Sequence, residues 1–254
     1  MKELKKCFLN SGMLITVVVA ALFPFISNLK LIRFGRFTDY LETADRLNFY
    51  SLTFMQSGLF IPVLAGLPAA TIISVELHSG YSTHILMRES KNRYILKTLI
   101  GAMLAGGVGV ALPGIATGII AMFAKAYTGN ETYDSLITLG WMSKYSLGLN
   151  GNAAILIYIF TLFIFGCVWS TYAQIFAVLF KNIYVTLAAP FLTTFLLQIL
   201  LNSAGLEKYA PMNMYGDECM AVPSMSFVMI YQGILFTIFA VVFYITARRR
   251  LDNE

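Results

Sequence analysis

The chain has 254 residues, of which 58% are hydrophobic and 12% charged, with a mean hydropathy of +0.72. An ordinary soluble domain is about a quarter charged, so this composition excludes a water-soluble globular fold. The net charge of +5 and pI near 9.0 point to orientation in a membrane, where basic residues flank the spans, and not to a nucleic-acid partner.

Six stretches free of Asp, Glu, Lys and Arg follow one another. They lie between Lys6 and Lys30 (23 residues), Arg46 and Glu76 (29), Lys97 and Lys125 (27), Lys144 and Lys181 (36), Lys181 and Glu207 (25), and Glu218 and Arg248 (29). Each exceeds the roughly 20 apolar residues a helix needs to cross a bilayer, where no water satisfies the backbone. The predicted fold is all-α and integral to the membrane: one domain of six transmembrane helices near 11–28, 50–76, 97–124, 151–180, 182–203 and 225–247.

The first eight positions after Met1, Lys2-Glu-Leu-Lys-Lys-Cys-Phe-Leu, interleave charged and apolar residues. They read as an N-terminal amphipathic helix on the membrane surface or as a plain basic flank. Span one is an uncleaved anchor by its length and by the want of a small-x-small site before Asn28. The loop Asn28 to Asn48 alternates aromatic, aliphatic and charged residues, which suits a short interfacial helix. Span two holds Pro62 and Pro68, and span three is rich in small residues from Gly101 to Gly118. Small side chains let helix backbones approach closely where lipid supplies no hydrophobic drive. Pro113 removes one backbone bond there and predicts a kink. The connection Ser203 to Ser224 fits two short helices separated near Pro211, or an irregular loop.

Alternating sides along six spans groups Lys2, Lys5, Lys6, Arg88, Lys91, Arg93, Lys97, Lys181 and Arg248 to Arg250 with five acids, a net +6. The opposite side carries a net −1. The positive-inside rule then places both termini in the cytoplasm, in a multi-pass protein of the cytoplasmic membrane. Under that topology no two of Cys7, Cys167 and Cys219 share a compartment, so a disulfide framework is not expected.

None of the six charge-free stretches contains His either; His78 and His84 both fall in the connection between spans two and three. Proton-coupled carriers commonly bury such groups at membrane depth, so coupling through a side-chain relay is disfavoured. The chain carries no G-x-x-x-x-G-K-[ST], H-E-x-x-H or C-x-x-C. No acid/base pair or metal cluster can be assembled, so no enzyme activity, metal or cofactor is expected on this chain. The energy for any work must come from elsewhere.

Polarity concentrates in the second-to-third connection: Glu76-Leu-His-Ser-Gly80-Tyr81-Ser82-Thr83-His-Ile85-Leu86-Met87-Arg88-Glu-Ser90-Lys-Asn-Arg93-Tyr-Ile-Leu-Lys97. Glu76 closes an apolar helix at its C-terminal end, where a carboxylate opposes the backbone dipole and needs a separate partner. Gly80 can take the left-handed conformation that ends a helix. Ile85, Leu86 and Met87 then give a short amphipathic helix its apolar face.

This order of residues resembles the permease subunits of type-2 ABC exporters, also described as type V. In that family span two ends in Glu and a Gly follows four residues later. A small hydroxyl residue, a bulky aliphatic, a Ser-x-x-Arg element and a Lys opening span three come next. The positions here are Glu76, Gly80, Ser82 or Thr83, Leu86, Ser90 with Arg93, and Lys97. The family's frequent proline before the Ser is Glu89 in this chain, which sets it apart within the family.

The resemblance implies that this loop is a cytoplasmic coupling helix seated in a cleft of a separate ABC ATPase subunit. ATP and Mg would be bound by that partner, and a second permease copy or a related permease would complete the transport path. It implies export of an amphipathic or hydrophobic cargo, a peptide, drug or lipid-like molecule, as in resistance to antimicrobial peptides. The alternative from the residues alone is a secondary transporter or a non-enzymatic membrane scaffold working without ATP.

Overall fold

The computed structural model describes residues 6–27, 61–128, 151–180, 182–214 and 224–253. Among them the chain is helical throughout, in seven α-helices: α1 (Ser11–Ser27), α2 (Ile61–His78), α3 (Tyr81–Leu86), α4 (Lys91–Thr128), α5 (Gly151–Leu179), α6 (Ile183–Ser203) and α7 (Met225–Asp252). Two 3-10 turns, Glu207–Tyr209 and Pro211–Met214, follow α6. They stand on either side of Ala210, where the sequence offered two short helices parted near Pro211. The loop 28–48 and the first part of span two lie outside the described residues, as does the connection 129–150.

Local chemistry sets most helix ends. Asn10 opens α1 by accepting from the backbone N–H of Met13 at 2.7 Å. Asn182 does the same for α6 through Tyr184 at 2.9 Å, and Ser224 for α7 through Phe227 at 3.2 Å. Each satisfies an N–H that the first turn leaves without a helical partner. At the far end of α6, Gly205 has φ +69. The Leu206 N–H reaches Leu201 O at 2.8 Å and the Gly205 N–H reaches Asn202 O at 3.1 Å. This is the paired-bond helix stop that a left-handed glycine permits.

Pro68 stands inside α2 and cannot donate to Leu64 O. The neighbouring helix compensates: the Thr16 hydroxyl of α1 lies 3.3 Å from Leu64 O and 2.8 Å from Gly12 O. The Asn10 amide also donates to Pro68 O at 2.7 Å. α4 continues through Pro113 as one helix of 38 residues. It begins at Lys91, six positions before the predicted span, so Arg93 and Lys97 are helical and not part of a loop.

α5 is the axis of the bundle, touching α2, α4, α6 and α7, while α1 lies against α2 and α4. Its crossing with α4 is made by glycines. A Cβ on Gly166 would fall 2.6 Å from Gly106 O and 2.9 Å from the Gly107 Cα. Backbone therefore meets backbone, and the Ser170 hydroxyl donates across the seam to Ala102 O at 2.8 Å. The small residues of span three act in helix–helix contact.

Among the described residues, four helical segments are long and apolar enough to cross a membrane: Lys91–Leu112, Ile159–Leu179, Ile183–Ser203 and Met225–Asp252. The α5 segment is 72% buried, but those of α6 and α7 only 22% and 17%. Leu192, Leu196 and Leu200 on α6 and Ile230, Ile234 and Ile238 on α7 are exposed. An apolar surface of that extent is stable when it faces lipid and a liability in water. The fold is that of a membrane-embedded helical protein.

Candidate functional site at the α2 to α4 turn

Glu76 sits in the last turn of α2 and is 8% exposed. Burial of a carboxylate at a helix C-terminus is unfavourable unless it is paired and hydrogen-bonded. Two groups meet it. Lys6 Nζ lies 2.8 Å from Oε1, and the Tyr94 hydroxyl donates to Oε2 at 3.2 Å. Lys6 belongs to the N-terminal segment and Tyr94 to the first turn of α4, so one carboxylate ties three parts of the chain. Lys6 Nζ also stands 5.3 Å from the centre of the Tyr81 ring, a cation–π contact that reaches α3.

Gly80 has φ +75, with open space around the position of a Cβ. The turn uses glycine for its backbone freedom, not for closeness. It releases the chain from α2 into α3, which holds Tyr81, Ser82, Thr83, Ile85 and Leu86. Ser82 is fully buried. Ile85 and Leu86 pack on the cluster formed by Ile73, Leu77, Tyr94, Ile95 and Leu251. Met87 is instead 77% exposed and Tyr81 49%; Arg88 is exposed as well. Of the three consecutive apolar residues, two hold α3 to its own bundle and one faces outward.

The turn after α3 is braced from α4. Lys97 forms an ion pair with Glu89, and that hydrogen bond holds the Glu89 carboxyl below the usual carboxylate range. Arg93 is exposed on the first turn of α4. Lys91 donates to Leu251 O at 2.7 Å and to Asp252 Oδ1 at 2.9 Å, and the Tyr244 hydroxyl donates to Asn92 Oδ1 at 3.0 Å. The start of α4 is thereby fastened to the end of α7. His78 Nε2 lies 3.0 Å from Phe180 O at the end of α5. The ends of α2, α4, α5 and α7, the N-terminal segment and α3 form one cross-bonded platform.

Sequence reasoning singled out Glu76 and required a partner for it, but it did not find Lys6 or Tyr94. Neither partner has a spacing signal, since they lie 70 and 18 positions away. The Lys91 contact with the end of α7 was equally hidden. No family model, curated protein or solved structure matches the chain.

Proposed function

We propose that the chain is the membrane subunit of an ATP-driven exporter of the type-2 ABC kind. In this reading it has six spans, with both termini and α3 on the cytoplasmic side. α3 is the coupling helix for a separate ATPase subunit, which binds ATP and Mg. A second permease copy or a related permease completes the path for an amphipathic or hydrophobic cargo.

One observation supports this reading above the rest. The short helix α3 follows a left-handed glycine and is anchored inward by Ile85 and Leu86, while Tyr81 and Met87 stay outside. A docking segment needs such an apolar projection within a polar rim, and here Arg88 and His84 flank it. A force applied to α3 would pass through Lys6, Glu76 and Tyr94 into α1, α2 and α4, because the cross-bonds leave little slack.

The test is co-purification with the Walker-A ATPase expressed beside the chain. Met87→Glu should abolish stoichiometric capture of the ATPase while leaving the yield and thermal stability of the membrane subunit unchanged, since Met87 is exposed. Undiminished capture by that variant would sink the assignment of α3. Cargo movement by the purified chain alone, without any ATPase, would favour the secondary-transporter reading.

A further inference from the structure

Three arginines, Arg248 to Arg250, lie in the last two turns of α7. α7 presents an exposed apolar stripe, Ile234, Ile238, Val241, Val242 and Ile245. Helical spacing carries that stripe onward to Arg248 and Arg249, since they stand three and four residues beyond Ile245. Both arginines are exposed.

Among the described residues, the acids at this end are already engaged. Asp252 pairs with Lys91 at 2.9 Å and lies 4.0 Å from Arg248, and Glu89 pairs with Lys97. Arg249 and Arg93 have no ion pair within 4 Å among the described residues. Because Lys91 and Asn92 are bonded to the last turns of α7, the first turn of α4 adds its cations to the same rim.

We propose that this end of α7, with the first turn of α4, binds an anionic phospholipid. The phosphate is held by Arg248 and Arg249, and the acyl chains lie along Ile238, Val241, Val242 and Ile245. The page favours lipid over a protein partner because the cations terminate an uncovered apolar stripe. A soluble anion would meet the charges but leave the stripe unused. Basic groups beside a span attract anionic headgroups, and Tyr244 at the same level suits the headgroup boundary. The inference needs α7 to cross the bilayer and does not depend on an ATPase.

The experiment uses the full chain, purified in mild detergent, stripped of lipid and titrated with phosphatidylglycerol or phosphatidylcholine of matched chains under native mass spectrometry. Phosphatidylglycerol should be retained roughly thirtyfold more than phosphatidylcholine, as expected from two cations at the headgroup at about 1 kcal/mol each. Arg248→Ala with Arg249→Ala should reduce that preference to near parity, and Arg248→Lys with Arg249→Lys should keep most of it. The lysine pair also separates loss of charge from loss of fold.

Equal retention of the two lipids by the unaltered chain would overturn the proposal. So would displacement of phosphatidylglycerol by millimolar inorganic phosphate, which would mark a site for free anions. An alanine pair that keeps its lipid preference but loses the co-expressed ATPase would also overturn it, in favour of a protein-docking surface.

Discussion

Glu76 concentrates the energetics of the candidate site in one side chain. Lys6 is partly solvated, its side chain 36% exposed, whereas the Glu76 side chain is 10% exposed. The two partners are therefore unequal: Lys6 can return to water, and the carboxylate cannot. Lys6→Met should cost on the order of 1–3 kcal/mol, the penalty of leaving a buried polar group short of a partner. Glu76→Gln should cost less, since the amide still accepts from Tyr94. Thermal unfolding of the purified variants checks the order, and a Lys6→Met protein as stable as the parent would show that the pair carries no weight.

Among elements, the α4–α5 crossing is the most restrictive. Gly166 sets its backbone against that of Gly106 and Gly107, so at Gly166 there is no flexible side chain to yield. Gly166→Val should destabilise the chain by about 1–3 kcal/mol or push the helices apart, as overpacked cores do. Gly233→Val on the exposed face of α7 should be nearly neutral, because nothing lies within 4 Å of its Cβ position. Similar melting temperatures for the two variants would contradict this account.

The glycine richness of span three was legible as a contact surface, since small residues in an apolar run have few other uses. Its partner was not legible, because Gly166 sits singly among bulky residues of α5. The helical start at Lys91 escaped for a related reason. Four basic residues read as a loop until the end of α7 is seen supplying Leu251 O and Asp252 to Lys91.

At the scale of the whole molecule, apolar surface is distributed unevenly. α5 is enclosed, whereas α6 and α7 are largely uncovered. Among the described residues, four helices long and apolar enough to cross a membrane fall largely on charge-free stretches, because exclusion of charge from lipid is written directly into composition. Side-to-side charge bias is a property of the full chain, and it predicts both termini on the cytoplasmic side. Reporter fusions active only in the cytoplasm should give signal at residue 1 and at residue 254. A silent reporter at either terminus would invert or break the six-span topology. Pairwise neighbours such as α1 with α4 could not be read in advance, since every span offers the same apolar composition to every other.

The Thr16 and Asn10 bonds to the backbone of α2 carry a kinematic consequence. Sliding α1 along α2 by one turn would strip Leu64 O and Pro68 O of these partners in a seam where Thr16 and Leu64 are buried from any replacement. Gly12 adds a steric stop, since even a Cβ there would lie 2.5 Å from Leu67 O. The α1–α2 seam is thus a joint without travel, and any working stroke of the bundle has to be accommodated along the sparsely covered flanks of α6 and α7.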